Sequence, residues 1–144
     1  MPTIQKISMN LIEQAVKDEW KYRIDNDGDV SLTFKKETEF DELNAYFDIR
    51  NEHSLYCFGF YDLVIPDDYV SQALYLCNQY NNSHYGPNAY LQLKEERKHF
   101  WLQSYHRLDE GIHAEALKIL IGSFVSGCAS FEKWMLEQPE FWIQ

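Results

Sequence analysis

Apolar residues recur along the chain with two periods, and each change of period marks the edge of an element. Residues 66–82 read as one helix about which the rest is arranged. Pro66 followed by Asp67 and Asp68 makes a helix opening, Asp67 offering its carboxylate to free backbone amides and Asp68 lying at the positive end of the helix dipole. At about 100° per residue, Val70, Ala73, Leu74, Cys77 and Asn81 share one face, while Gln72, Tyr75 and Gln79 point elsewhere. The first four are expected in a core. Asn81 ends the stripe with Asn78 beside it, and asparagine tolerates the left-handed conformation that terminates helices, so the pair reads as a C-terminal anchor of this helix. Together with the turn Tyr85–Asn88, Asn78, Asn81 and Tyr85 are also candidates for a pocket rimmed by Tyr80 and Tyr90.

Upstream, Ile4, Ile7, Leu11, Ile12 and Ala15 have helical spacing, which predicts a first helix over 4–20. Residues 21–24 and 30–34 alternate as strands across Asp25–Asp29, where Asp-Gly supplies a hairpin turn. After a charged connection, 35–42, residues 45–51 and 54–64 predict a second hairpin turning at Asn51-Glu-His53. Residues 89–93 and 98–106 predict a third, through Glu95-Glu-Arg97. Gly111 precedes a long helix over about 113–137, which Pro139 ends, and the apolar tail 140–144 is expected to dock on the chain's own core. No linker or internal repeat divides the chain. The order α-β-β-β-β-α-β-β-α makes it a single α+β domain, 1–144, with five to six antiparallel strands packed against three helices.

The second and third hairpins carry the functional signal. In 54–64, Leu55, Cys57, Gly59, Tyr61 and Leu63 point one way and Tyr56, Phe58, Phe60 and Val64 the other; in 98–106, Phe100, Leu102 and Ser104 oppose Trp101, Gln103 and Tyr105. A half-exposed antiparallel strand is polar on one face. These are apolar on both, so one face belongs to helices and the other to a loop, a second subunit or a partner. Tyr56, Phe58, Phe60, Trp101 and Tyr105 are the candidate interface residues, with parity alone leaving open which face lies outward.

Composition removes several alternatives. The 144 residues suffice for a core without staples, and 45% are hydrophobic. A net charge of −10 argues against a nucleic-acid or anionic-membrane surface. No segment is expected to reach the length of a membrane span, and the N-terminal residues lack the uninterrupted apolar stretch of a signal peptide. Cys57, Cys77 and Cys128 each sit in an apolar pattern without a Cys-x-x-Cys spacing, which suits reduced core thiols and a cytoplasmic location.

Catalytic chemistry finds little support. Asp25-Asn-Asp-Gly-Asp29 imitates the opening of a calcium loop, but Val30 stands where glycine is needed and Lys36 where the closing glutamate is needed. His99 and His106 are seven residues apart on one strand and so face opposite sides; with His84 and His113 they offer no helical His-x-x-x-His. No cofactor or metal is expected, and no catalytic residue is assigned.

The proline-opened helix ending in Asn78-x-x-Asn81, the strand Asn88-Ala-Tyr-Leu-Gln-Leu93, the aromatic strand after it, the Gly before the last helix, and the hairpin Phe47-Asp-Ile-Arg-Asn-Glu-His-Ser-Leu-Tyr-Cys-Phe58 resemble the YbjN family. That family is described as bacterial sensory transduction regulators. The resemblance implies a fold like that of type III secretion chaperones, which are small, acidic, commonly dimeric proteins that bind client segments. It transfers no catalytic residue. The resulting expectation is a bacterial homodimer that binds an unidentified protein client or regulatory partner. A small-molecule sensor is the alternative, and a metal-dependent enzyme ranks below it.

Overall fold

A computed structural model describes residues 3–35 and 40–142. The middle of the charged connection, including Lys36, and the tail residues Ile143 and Gln144 lie outside the described residues. Among the described residues the order is β1 (Ile4–Gln5), α1 (Met9–Lys17), β2 (Arg23–Ile24), β3 (Val30–Phe34), β4 (Leu43–Arg50), β5 (Ser54–Tyr61), α2 (Val70–Ser83), β6 (Asn88–Leu91), β7 (Phe100–Arg107), β8 (Ile112–His113) and α3 (Ala114–Leu136). Strands β2 to β7 form one antiparallel sheet in the order β2-β3-β4-β5-β7-β6, and β1 pairs with β8 in a separate two-stranded ribbon.

The three hairpins and the α+β class are as the alternation predicts. The first helix is shorter than its apolar pattern. Ser8 is held extended (φ −148°, ψ 159°) and its Oγ accepts the Leu11 amide at 3.1 Å, so the helix starts at Met9. Ile4 and Gln5 pair instead with His113 and Ile112. That approach requires Gly111: at φ +87° a Cβ there would sit 2.6 Å from the Gln5 carbonyl oxygen. The second helix also differs. It opens with a 3-10 turn, Asp67–Tyr69, in which Pro66 occupies the capping position without a side-chain bond, so Asp67 is not the cap. Its buried residues are Ala73, Leu76, Cys77 and Tyr80, while Leu74 is 39% exposed. The stripe is rotated because α2 wedges at the sheet edge beside β6, where Tyr80 packs edge-on against Phe131 and Trp134 of α3.

Asn81 is not the C-cap either; His84 holds that position. Asn81 instead lies along the free edge of β6, its Nδ2 donating to the Ala89 carbonyl and its Oδ1 accepting the Ala89 amide, both at 2.8 Å. An edge strand leaves backbone groups open to further pairing, and this side chain closes one such pair. Asn78 is exposed on the same helix.

Helix α3 lies on the inner sheet face, where Leu117, Ile121, Phe124, Cys128, Phe131 and Met135 are buried. The Tyr61 hydroxyl donates to the Cys128 carbonyl at 2.8 Å, and Phe124 meets Phe47 edge-on at 5.9 Å. At 23 residues, with a mean hydropathy of 1.3 over its most apolar window, α3 is long and apolar enough to cross a membrane. The expectation that no segment reaches that length is therefore corrected. Past its end, Phe141 is buried and stacks at 5.5 Å on Phe40, whose ring also stacks at 5.5 Å on Phe100.

Replacing Asn81 by alanine removes both bonds to Ala89. A loss of about 1–3 kcal/mol is expected, read as a lower urea midpoint with unchanged slope. Asn78→Ala on the exposed side is expected to stay within about 0.5 kcal/mol of the parent.

Candidate functional site

Period-two alternation across β4, β5 and β7 puts one set of residues under the helices and the other on the opposite face. Register decides which rings meet there: Tyr46 pairs with Phe58, Phe60 with Trp101, Tyr56 with Tyr105 and Tyr90 with Trp101. Tyr56, Phe58, Phe60, Trp101 and Tyr105 therefore share a single face, the outer one, and Tyr46 and Tyr90 join them. Among the described residues no helix packs over this face, and its rings are half-buried apart from Tyr105, which is exposed.

The rings form a ladder. Tyr46 stacks on Phe58 at 5.0 Å, Tyr56 on Phe58 at 5.1 Å, and Phe60 on Trp101 at 4.8 Å. Tyr90 extends the row to the sheet edge, 6.3 Å from Trp101. Near-parallel planes at these separations mean that the rings stand on the sheet and spend their faces on each other, each such pair contributing about 0.5–1.5 kcal/mol beyond area burial. Edges and polar tips are what point outward. The Tyr56 hydroxyl donates to Gln103 Oε1 at 2.9 Å, and Asn51 Nδ2 donates to the Tyr105 hydroxyl at 3.1 Å. Bonds with Ser54 and then Asn51 lower the pKa of Tyr105, whereas burial, with Tyr56 beside it, pushes Tyr90 up to about 12.

Charge borders the row, beginning with Asp48 directly opposite Tyr56. The Arg50 guanidinium lies 4.6 Å above the Tyr56 ring and bonds Asp48 at 3.1 Å. At the adjoining corner Asp25, Asp27 and Asp29 gather with carboxylate oxygens within 4.8 Å of one another. Asp25 Oδ1 is already engaged by the amides of Asp27 and Asp29, both at 2.9 Å. Burial, with Asp48 and Asp25 nearby, pushes the Asp29 carboxyl up to about 6.

The other sequence candidates are dispersed. Tyr85 stands fully in solvent beyond α2, Asn81 is committed to the edge of β6, Tyr80 is buried against α3 and Tyr90 belongs to the outer face. Asn78, Asn81 and Tyr85 therefore do not line one pocket: α2 turns its asparagines to solvent and to the sheet edge, while Tyr85 stands with Gly86 and Pro87 at a separate cleft. The histidines are also apart. His99 Nδ1 lies 3.1 Å from the Leu63 carbonyl, His84 stacks on Tyr80 at 4.1 Å, His106 is on the inner side of β7 and His113 lies in the small ribbon. Burial holds the Cys57 and Cys77 thiols near a pKa of 12, so both are neutral. Tyr46 and Tyr90 were missed in the sequence because each joins the row only through its cross-strand partner. Pairing the second hairpin at its Asn51-Glu-His53 turn would have found Tyr46.

Comparison with known proteins adds to this geometry. The YbjN family model, described as "Putative bacterial sensory transduction regulator", matches residues 10–137. The chain belongs to the YbjN family. The fold also matches a solved structure described as "Crystal structure of YbjN, a putative transcription regulator from E. coli", with a TM-score of 0.73 at 12% identity, over 90% of this chain and 91% of that one. No curated protein matches the sequence. Membership supports a regulator-like role.

The Asp29 carboxyl gives the rim a pH signature. Its folded pKa is raised to about 6, so the folded state holds the proton more tightly than the unfolded chain, where the value is about 3.9. This group's stabilising contribution is complete below about pH 4 and is lost as pH rises through about 6. Asp29→Asn is expected to match the parent Tm at about pH 3.5, to exceed it by a margin that grows between about pH 4 and 6, and to keep that margin up to about pH 7.5. Thermal unfolding by circular dichroism across that range checks the difference.

Proposed function

We propose that this YbjN protein is a non-enzymatic regulatory module that acts by protein contact through the outer aromatic face, and that the first partner of this face is a second copy of the chain. The observation that carries the reading is the row of seven rings, Tyr46, Tyr56, Phe58, Phe60, Tyr90, Trp101 and Tyr105, on one sheet face with no described helix over it. Aromatic residues are enriched and charges depleted at the centre of protein interfaces, and here the charged residues sit at the margin. A chain of net charge −10 resists its own copy wherever carboxylates face each other. The cross-strand partners of Phe58, Phe60 and Trp101 include none, and Asp48, opposite Tyr56, is engaged by Arg50, so two copies meet at those three rings with the least repulsion.

Size sets the strength. Three eight-residue strands and the four-residue β6, rising about 3.4 Å per residue and lying side by side at about 4.8 Å, make a patch of at most roughly 27 by 19 Å. That is less than the roughly 800 Å² per side of a standard interface, so a reversible, concentration-dependent dimer follows. The same geometry disfavours direct DNA contact: ring faces are occupied by other rings, and the net charge is acidic.

Sedimentation velocity over a concentration series tests this. The parent is expected to move from monomer towards dimer at micromolar concentrations and above, and Trp101→Glu to shift the midpoint upward by about tenfold or more. Circular dichroism must show Trp101→Glu still folded; Tyr105→Glu, at a ring 48% exposed, gives a milder version of the same shift. A parent that stays monomeric throughout, or dimers indifferent to both substitutions, would remove the second copy from this face.

A further inference from the structure

The opposite side of the sheet holds a cleft that the aromatic face does not explain. It has a volume of about 230 Å³ and lies where β7, α3 and the turn after α2 converge. Ser104 and His106, the inward residues at the end of β7, form one wall; Leu120, Ser123 and Phe124 of α3 form the second; Tyr85, Gly86 and Pro87 close the third. The third wall stands because α3 carries glycine at 127. A Cβ there would fall 2.4 Å from Pro87 Cδ, so any side chain at this position would push the turn off the helix and open the cleft.

We propose that this cleft is a binding site for a small uncharged organic molecule, a single ring bearing one group that both donates and accepts hydrogen bonds. Size comes from the volume, since an apolar cavity of ~150 Å³ holds a benzene ring and this one is larger. The apolar body of the ligand would rest on Leu120 and Phe124. Its polar group would meet Ser104 on a turn of that side chain toward the cleft: the Oγ is shielded from the cleft as it stands, with no nitrogen or oxygen partner in the protein and only the Cys57 thiol as its cross-strand neighbour. A buried hydroxyl so placed is under-satisfied, and a thiol is a weak substitute for an oxygen partner. His106 and Ser123 supply further polar atoms at the mouth. Neutrality of the ligand follows from the lining, which contains no Asp, Glu, Lys or Arg. Burial lowers the pKa of His106, leaving its imidazole uncharged at pH 7. An ion entering would lose hydration without gaining a counter-charge. Tyr85 stands in solvent at the rim, beside Gly86 at φ +147°, a backbone setting that suits glycine.

Benzamide tests the class because benzoate and benzylamine have nearly its shape and differ in charge. In a titration of the ¹⁵N-labelled protein followed by two-dimensional NMR, benzamide up to ~10 mM should shift the amides of Gly86, Ser104 and Ser123 saturably, with benzoate and benzylamine at least about tenfold weaker. Ser123→Trp, at an exposed helix position, fills the mouth and should weaken benzamide by about tenfold or more; Ser104→Ala should weaken it several-fold while Ser126→Ala on the same helix leaves it unchanged. If Ser123→Trp does not fold, Ser104→Ala and the charge series decide. No saturable shift at these amides, equal binding of the charged analogues, or shifts confined to the outer aromatic face would each overturn the proposal.

Discussion

Strand β5 is apolar on both faces, and the rest of the molecule accommodates that fact. Placed between β4 and β7 with a hydrogen-bonded neighbour on each side, it cannot turn either face to water without cost. On the inner side the cost is met by helices: Leu55, Cys57 and Tyr61 are fully buried, and Tyr61 is tied to the backbone of α3. On the outer side it is met by the neighbouring strands, whose rings lean on Phe58 and Phe60. A one-residue slip of β5 would exchange its two sets and put Tyr56, Phe58 and Phe60 under the helices. The three-residue turn at Asn51–His53, with Asn51 and Glu52 at positive φ (54° and 67°), fixes the pairing of β4 with β5.

The ladder explains how such a face remains in contact with water. A flat platform of isolated rings would expose the π surfaces that bases and sugars stack on. Rings standing in a row hide those surfaces from solvent and offer edges, hydroxyls and the Gln103 amide instead. Under the proposed association, a second protein surface would meet edges with edges and hydroxyls with backbone or amide groups. It also separates the roles within the row: Phe58, shared by Tyr46 and Tyr56, holds the array together, whereas Tyr105 at the end is the ring most open to a visitor.

Parity made the strands legible in the sequence, because a period of two leaves no freedom once the hairpin turns are placed. All five rings chosen from 54–64 and 98–106 share a face for that reason. Helical pattern was less binding. In α2 apolar residues occur on more than one side, so the buried stripe depends on where α3 lies: Tyr80 enters the core against Phe131, and Leu74 is left outside. The β1–β8 ribbon joins residues more than a hundred positions apart through two short pairings, a contact with no local signature beyond Gly111. Asn81 was recognised as an anchor, but its partner, a backbone amide and carbonyl eight residues on, is an edge that exists only once β6 has joined the sheet.

Strand β7 is the element common to both candidate surfaces. Trp101, Gln103 and Tyr105 point to the aromatic row and Ser104 and His106 to the cleft, so consecutive residues report to opposite faces. Such an arrangement couples the two only if the occupied cleft and the occupied face favour different positions of β7; a ligand with equal affinity for both positions shifts nothing. Where a difference exists it is reciprocal: whatever factor the small molecule adds to association, association adds to the small molecule's affinity. The stiffness of the strand bears on that difference. Hydrogen-bonded to β5 along almost its whole length but to β6 over only four residues, β7 has more freedom on the β6 side, and that is the side on which the turn at Gly86 and Pro87 closes the cleft.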